Sequence, residues 1–366
     1  MEKRILILSA GFGEGHNSAA RGLRDGLAAV SGGAATVEVH DIFSETFGFA
    51  NDWARHGYLA LINRAPRAWG WLYQRMDGRD NYAAQLRWLF LAKARLSQLL
   101  VRFQPTAVVS VYPAYSHLLG TILKGAPAAF RQVVCITDSI TVNAIWFRCA
   151  SDLFLVPNEQ TAAVLAAAGL PDDKVRLSGF PVTPKFAELG ELRQPPVPGG
   201  ERKVLYMINA GGRAVPEIIR GLAGLPDVSL TVTVGRDERL RRAVEAVKAE
   251  LERKFEIVGW SDQLSRLMLE SHLLVSKAGG ATVQETIAAK CPMIISQIVP
   301  GQEEGNARLI EESRAGVVAT TPAAIFAAVE RAFAEDAKLW REWSANISRI
   351  SRPKAPLEIA ELLLGL

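Results

Sequence analysis

A histidine stands directly behind the first glycine-rich turn of the chain. The turn reads Gly11-Phe12-Gly13-Glu14-Gly15, and His16 follows it where a helical pattern begins after a predicted strand. A dinucleotide fingerprint requires glycine at this position, so a nicotinamide or flavin site is a poor match, and no Walker lysine pattern is present. An imidazole at a helix start beyond a strand end could act as a general base in a cleft. A capping or packing role is the alternative.

Two later turns contain small residues that leave the backbone N–H groups accessible. The first is Asn209-Ala210-Gly211-Gly212, whose N–H groups are accessible to an anion. The second contains Gly279, Gly280 and Thr282 and leads into a helix that carries Glu285. The glycines let phosphate oxygens approach the backbone. Glu285 could accept hydrogen bonds from both hydroxyls of a ribose, or it could offset the helix dipole.

A fourth turn carries side chains that suit a sugar. It reads Val299-Pro300-Gly301-Gln302-Glu303-Glu304-Gly305-Asn306 and follows a short apolar run that ends at Ser296. Gln302 and Glu303 offer both donors and acceptors of hydrogen bonds, as a polyhydroxylated ligand requires. An ordinary surface turn would have the same composition.

These turns follow short strands that alternate with helical segments. Apolar runs rich in Val, Ile and Leu predict strands at 4–9, 36–40, 107–111, 132–136, 152–156, 203–208, 229–234, 255–258, 272–276 and 293–296. Helical patterns at 16–30, 84–103, 159–168, 238–252 and 261–269 separate them. The alternation is typical of α/β proteins whose parallel sheets are covered by helices on both faces.

A segment rich in proline and glycine near 185–202 divides the pattern into two halves. Each half opens with a strand that runs into a glycine-rich turn. We therefore expect two doubly wound, Rossmann-like domains that face one cleft, with ligands beyond the carboxyl ends of the strands. The expected domains are residues 1–190 and 203–350, and a helix within 351–366 is expected to pack back on the first domain.

Composition narrows the class of protein. The 366 residues are 49% hydrophobic and 22% charged, as in a packed globular chain, and a net charge of +4 does not by itself indicate nucleic-acid binding. Cys135, Cys149 and Cys291 are scattered, which fits a reducing compartment and argues against a disulfide scaffold or a zinc site. No apolar run reaches the roughly 18 to 20 residues of a spanning helix. We expect a cytoplasmic protein that is soluble or lies on a membrane.

Taken together, the motifs resemble those of GT-B glycosyltransferases of the family 28 type. In the C-terminal half they are Val258-Gly259-Trp260, Leu267-Met268, the run from Leu274 to Glu285, and the run from Pro300 to Asn306. In the N-terminal half, residues 1–20, Thr137-Asp138, Trp146 and Gly179-Phe180-Pro181-Val182 resemble the same family. The nearest relatives by this resemblance are the monogalactosyldiacylglycerol synthases and the processive diacylglycerol glucosyltransferases, and the likeness covers nearly the whole chain.

The resemblance implies a role for each matching residue. His16 would be the base that deprotonates the acceptor hydroxyl, Asp138 would orient or assist it, and Glu285 would hold the ribose of a uridine nucleotide. The other donor contacts would come from Asn209, Gly211, Gly212, Gly279, Gly280 and Thr282 at the diphosphate, Gly259 at the base, and Gln302, Glu303 and Asn306 at the sugar. The first domain would bind the acceptor and the second the donor.

The same resemblance implies an inverting hexosyltransferase. UDP-glucose or UDP-galactose would be the donor, a lipid such as diacylglycerol the acceptor, and a β-glycolipid the product. No metal or other cofactor is expected, because helix N-termini and backbone amides can supply the positive potential.

The chain departs from the family's pattern at a few positions. Ala278 stands where the family usually has proline, Asn143 where it usually has histidine, and Phe12 and Glu14 alter the first glycine turn. These differences concern the acceptor and the base rather than the nucleotide. A polyprenyl-linked or small-molecule acceptor, a non-catalytic sugar-nucleotide-binding protein and an epimerase of UDP-N-acetylglucosamine therefore stay open as alternatives.

Residues 53–95 are rich in aromatic and basic side chains. We expect Trp53, Tyr58, Trp69, Trp71 and Arg75 to contact the headgroup layer of an anionic membrane. Helices that pack on the N-terminal sheet would show a similar composition. No recognisable nucleic-acid-binding module accompanies the aromatic residues. We therefore expect peripheral membrane attachment and no nucleic-acid partner.

Overall fold

Two compact units make up the chain. The computed structural model describes residues 2–11, 13–48, 89–124, 127–208, 212, 214–251, 255–300 and 303–366. Unit 1 consists of Met1–Pro184, Val299–Gly305 and Lys354–Leu366, and unit 2 of Lys185–Ile298 and Asn306–Pro353. The chain thus passes into unit 2 after residue 184, earlier than the expected boundary at 190, and the short segment 299–305 returns to unit 1.

Unit 1 is built on a six-stranded sheet in which all strands run parallel. The strands are β1 (Lys3–Leu8), β2 (Ala35–His40), β3 (Ala107–Ser110), β4 (Arg131–Cys135), β5 (Leu153–Val156) and β6 (Val175–Leu177), in the order β2-β1-β3-β4-β5-β6. The helices are α1 (Glu14–Ser31), α2 (Ile42–Phe47), α3 (Phe90–Phe103), α4 (Pro113–Leu123) and α5 (Glu159–Ala167), with 3₁₀ turns at Ala144–Trp146 and Asp172–Lys174. Helices on both faces bury the central strands, which explains why their sequences are almost continuously apolar.

Unit 2 repeats this architecture. Its parallel strands are β7 (Arg202–Met207), β8 (Val228–Gly235), β9 (Glu256–Gly259), β10 (Leu273–Lys277), β11 (Met293–Gln297) and β12 (Gly316–Val318), in the order β12-β11-β10-β7-β8-β9. The helices are α6 (Lys185–Glu188), α7 (Val215–Gly224), α8 (Glu238–Glu250), α9 (Leu264–Glu270), α10 (Gly280–Ala288), α11 (Glu304–Glu312) and α12 (Pro322–Ile350, with non-helical backbone at 334–337), and a 3₁₀ turn lies at Gly190–Leu192.

The prediction of two doubly wound α/β domains is confirmed. All ten predicted strands are present to within one residue at each end. The pattern of apolar runs did not predict β6 and β12, which are three-residue strands at the sheet edges. A strand this short has no period to detect, and its pairing with a neighbour defines it instead.

The last helix, α13 (Ala355–Gly365), lies against α1 within unit 1. The two elements approach closely at Gly26, where a Cβ atom would lie 2.3 Å from the carbonyl oxygen of Pro356. Gly22 is packed in the same way, since its Cβ would lie 1.9 Å from the carbonyl oxygen of Pro181. Glycine at these two positions lets α1 be covered along its length.

The predicted membrane segment is not tested by the structure. Trp53, Tyr58, Trp69, Trp71 and Arg75 lie outside the described residues. Among the helices that are described, none is long and apolar enough to cross a membrane.

Candidate active site

The carboxyl ends of three neighbouring strands bring the candidate base and its partners together in unit 1. His16 lies in the first turn of α1, which follows β1, while Val111 directly follows β3 and Thr137 follows β4. The turn before α1 is held by a bond of 3.0 Å from the Ser9 hydroxyl to the Asn17 side-chain oxygen. Strands β1, β3 and β4 are adjacent in the sheet, so their carboxyl ends converge at one edge.

The hydrogen bonds of His16 determine which tautomer it adopts. Its Nδ1 atom lies 2.8 Å from the carbonyl oxygen of Val111 and 3.0 Å from the hydroxyl oxygen of Thr137. Because a carbonyl can only accept, Nδ1 must carry the proton, and the lone pair of the neutral ring is on Nε2. Within the described part of the chain, Nε2 has no hydrogen-bond partner. Burial lowers the pKa of His16 to about 4, so the ring is neutral at pH 7 and Nε2 can accept a proton.

Asp138 is hydrogen-bonded to Trp146, whereas a catalytic pair would require a bond to His16. Its Oδ2 atom accepts a hydrogen bond of 2.7 Å from the indole Nε1 of Trp146, and no bond to His16 occurs among the described residues. Burial raises the pKa of Asp138 to about 6, although the indole bond opposes this shift. The Trp146 ring lies 5.9 Å from the His16 ring, centroid to centroid. Trp146 therefore contacts both groups, and Val111 with Thr137 fixes the imidazole.

Two side chains fix the turn that presents Trp146. The Asn143 side-chain oxygen accepts a hydrogen bond of 3.0 Å from the Ile145 N–H, and Nε2 of His117 donates one of 2.8 Å to the Ile145 carbonyl. Burial lowers the pKa of His117, which suits its role as a neutral donor. Val111, Thr137 and His117 are not among the residues predicted from the motifs. A strand-end position was the one available signal for Val111 and Thr137.

In unit 2 the donor turn connects β10 to α10. Gly279 is the N-cap of α10, so the N–H groups of Gly280 and the two residues behind it have no carbonyl partner within the helix. The Ala278 N–H donates to the Gln297 carbonyl at 2.9 Å, a bond that a proline at this position would lose. Thr282 is buried, and Glu285 is the sixth residue of α10 and half-buried. The helix start has the form of an anion site.

Asn306 joins the donor turn through its amide group. Its Nδ2 atom donates to the Ala278 carbonyl at 3.1 Å, and the side chain is 5% exposed. The Oδ1 atom is buried and has no hydrogen-bond partner among the residues that the structure describes. A buried amide oxygen is a strong acceptor, so it suits the hydroxyl of a ligand and not a phosphate oxygen, which has no proton to donate.

The other predicted donor residues are described only in part. Glu303 is buried in unit 1, and its Oε2 atom accepts a hydrogen bond of 2.9 Å from the Val299 N–H. Gly259 ends β9, and the neighbouring Trp260 is exposed, with the Arg236 guanidinium 3.9 Å from its ring centroid. Of the second glycine turn, Gly212 alone is described. Asn209, Gly211 and Gln302 lie outside the described residues.

The polar turn and the Asp138 loop meet within unit 1. A Cβ atom on Gly305 would lie 2.0 Å from the Ser139 carbonyl oxygen and 2.4 Å from the Thr141 hydroxyl. Gly305 is therefore seated on the residues that follow Asp138. Glycine is required at 305 for this contact, and no local pattern around Gly305 predicts it.

Both units match known protein domains. Residues 16–182 match the family described as monogalactosyldiacylglycerol (MGDG) synthase, and residues 213–347 match the glycosyltransferase family 28 C-terminal domain. The crystal structure of MurG from Acinetobacter baumannii has the same fold, with a TM-score of 0.65 and 13% identity over the whole of both chains. A UDP-GlcNAc 2-epimerase from Neisseria meningitidis also shares it, with a TM-score of 0.63 and 13% identity over 99% of this chain and 100% of that chain. The fold is GT-B, and the matched domains define a glycosyltransferase.

Relatives of similar length identify the group more closely. Monogalactosyldiacylglycerol synthase 2 of Arabidopsis thaliana is 24% identical over 98% of this chain and 80% of its own. The processive diacylglycerol beta-glucosyltransferase of Bacillus cereus is 24% identical over 99% of this chain and 93% of its own. The chain is therefore a glycosyltransferase related to the MGDG synthases and the processive diacylglycerol glucosyltransferases, which confirms the resemblance inferred from its motifs.

Proposed function

We propose that this glycosyltransferase moves a hexose from a UDP-sugar to a diacylglycerol-like lipid at a membrane surface, with inversion, to form a β-glycolipid. The observation that carries the proposal is the neutral His16, whose Nδ1–H donates to Val111 and whose Nε2 atom is left to accept a proton. The names of the MGDG synthase and diacylglycerol glucosyltransferase relatives support the choice of lipid and hexose.

The reaction is a single displacement. Nε2 of His16 takes the proton of the acceptor hydroxyl while that oxygen attacks the anomeric carbon of the sugar. The bond from the anomeric carbon to the diphosphate oxygen breaks, and UDP leaves with the electron pair. Attack from the face opposite the leaving group converts an α-linked donor into a β-glycoside, and positioning with base catalysis lowers the barrier.

On the donor side, the N-terminus of α10 would hold the diphosphate and Glu285 the ribose. The buried Oδ1 of Asn306 would accept a hydrogen bond from a sugar hydroxyl, with Gln302 and Glu303 as further sugar contacts. We propose that the reaction needs no metal, because the positive end of the α10 dipole offsets charge on the leaving group. The rate with and without EDTA tests this point, and loss of turnover on chelation would contradict it.

Calorimetric titration with UDP tests the donor site. We expect Glu285→Ala to weaken binding about tenfold or more, since two hydrogen bonds to a charged group are lost. Glu312→Ala is the matched control, because Glu312 is an exposed helix carboxylate whose described partner is Arg308. His16→Ala should bind UDP as the wild type does, yet turn over about 10²- to 10⁴-fold more slowly. A wild type without measurable UDP affinity would refute the proposal.

A labelled donor and extracted lipids test the acceptor. Label in a diacylglycerol glycolipid supports the proposal, whereas label in a polyprenyl-linked or water-soluble product would assign a different acceptor. Release of a free epimerised sugar without any acceptor would identify an epimerase. UDP binding without turnover on any acceptor would leave a non-catalytic binding protein.

Sedimentation with vesicles tests the membrane surface. We propose that Trp53, Tyr58, Trp69, Trp71 and Arg75 contact anionic lipid. The wild type should sediment with vesicles that contain phosphatidylglycerol more than with phosphatidylcholine alone, and the difference should shrink in the joint Trp69→Ala and Trp71→Ala variant. Equal binding to both vesicles would contradict an anionic surface as the partner.

A further inference from the structure

The loop behind Asp138 contains an unusual backbone conformation. Ile140 has a φ of 60°, in the left-handed region that β-branched residues avoid. The Thr141 N–H donates to the Ser139 carbonyl at 2.6 Å, so Ile140 is the central residue of a tight three-residue turn. This turn lies between Thr137, which contacts His16, and Trp146, which bonds Asp138. A strained conformation at such a place requires surrounding contacts that hold it.

Thr161 supplies the contact that holds the turn. Its hydroxyl oxygen accepts a hydrogen bond of 3.1 Å from the Ile140 N–H. Thr161 is fully buried in the first turn of α5, and its own N–H donates to the Asn158 side-chain oxygen at 2.8 Å. The hydroxyl is therefore held by a capped helix and cannot follow the loop if the loop relaxes.

The strained turn sets two groups at once. Asp138 directly precedes it, and its carboxylate accepts the Trp146 indole N–H at 2.7 Å. On the other side, the Ser139 carbonyl faces Gly305 so closely that glycine alone fits there. Rotation of Ile140 to an ordinary φ would turn the neighbouring peptide groups and move both contacts.

We infer that Thr161 is a positioning residue for the transfer reaction, because it clamps Ile140 in the left-handed conformation that places the Asp138 carboxylate on Trp146 and the Ser139 carbonyl on Gly305. The inference rests on the proposed function for its catalytic consequence. The placement of the loop itself can be measured without turnover.

The first test compares Thr161→Val with Thr161→Ser. Valine keeps the shape and removes the acceptor, and we expect kcat to fall about tenfold or more with KM for the donor nearly unchanged. Serine keeps the hydroxyl and should retain most of the wild-type kcat. Adding Ile140→Gly to Thr161→Val should restore part of the rate, because glycine adopts a left-handed φ without strain. Equal kcat in the valine and serine variants, or no recovery in the double variant, would overturn the inference.

The second test reads the Trp146 indole N–H by NMR. In the wild type its resonance should titrate with Asp138, whose pKa is about 6, and a further step near pH 4 would report His16, whose ring also contacts Trp146. Thr161→Val should shift this titration, and Thr161→Ser should not. An unchanged resonance in Thr161→Val would refute the positioning role, whatever the activity. Absence of turnover in the wild type would refute the proposed function alone. If Thr161→Val does not fold, a crystal structure of Ile140→Gly tests the inference instead. Thr161 should still hold residue 140 at a positive φ in this variant, and loss of the positive φ would refute the role of Thr161.

Discussion

Replacing Trp146 by phenylalanine tests whether the Asp138 carboxylate must be ionised for transfer. The indole N–H donates to Oδ2 of Asp138 at 2.7 Å. Burial raises the pKa of this carboxyl and the indole bond lowers it, and the net value is about 6. A hydrogen bond to a charged group contributes about 1.5 to 3 kcal/mol. Since one pKa unit corresponds to about 1.4 kcal/mol, its loss should raise the pKa of Asp138 by about 1 to 2 units.

The consequence is a shift in the acid limb of the pH–rate profile. For the wild type, kcat should rise with pH through a midpoint near 6, as Asp138 loses its proton. In Trp146→Phe the midpoint should move to about 7 to 8, so that at pH 7 the ionised fraction falls from about 0.9 to between about 0.1 and 0.5. At pH 9 most of the rate should return.

The assay is the initial rate of label transfer from the UDP-sugar to lipid between pH 4.5 and 9. Trp343→Phe is the control, because this buried indole lies in unit 2 and should leave the midpoint unchanged. The reasoning is refuted if the midpoint stays in place or moves to lower pH. A limb near 4 in both proteins would show that His16 is the single group whose titration matters.

Two further substitutions have predictable effects on stability. Asp138→Asn should raise the melting temperature more at pH 7.5 than at pH 5. The pKa of this carboxyl is about 6 in the folded protein against 3.8 when it is unfolded, so stability is lost as pH rises through this window, by about 3 kcal/mol in total and about half of that by pH 5. The lowered pKa of His16 makes stability rise with pH, which is the opposite sign. This contribution is the same in the wild type and in Asp138→Asn, so it cancels in the difference between their stabilities measured by calorimetry. In Gly305→Ala the new Cβ would lie 2.0 Å from the Ser139 carbonyl, so this variant should lose about 1 to 3 kcal/mol of stability in thermal melts and should also turn over more slowly. Gly365→Ala is the control, because the space around Gly365 is open and neither property should change. Equal melting temperatures in the two variants would contradict the contact.

The fold was predictable because its signals are local and repeated. Each central strand is a short apolar run bounded by glycine, proline or a charged residue, and the alternation with helices is consistent along the chain. The C-terminal helix was expected to return to the first domain, but the return of residues 299–305 to unit 1 was less accessible, since it depends on contacts with residues far away in sequence. Gly26 and Gly305 illustrate the difference, because nothing beside them in sequence reveals the carbonyl that each one approaches.

The sequence identified residues of the candidate site but not the hydrogen bonds between them. Motif position selected His16 and Asp138, and strand order explains why they share a sheet edge. Among the described residues no hydrogen bond joins the two, because Val111 and Thr137 bind the imidazole and Trp146 binds the carboxylate. A carbonyl partner has no side-chain signature, so no pattern of residue types could have identified it.

The departure at Asn143 acquires a different meaning from this geometry. The missing histidine in the loop behind Asp138 kept open the alternative of a protein that had lost its catalytic geometry. The Asn143 side chain instead caps the turn that presents Trp146, and His117 fixes the same turn from its other side. The substitution therefore preserves the indole contact to Asp138 and leaves the tautomer of His16 to other residues. It gives no reason to expect a lost base, and its effect should fall on the acceptor.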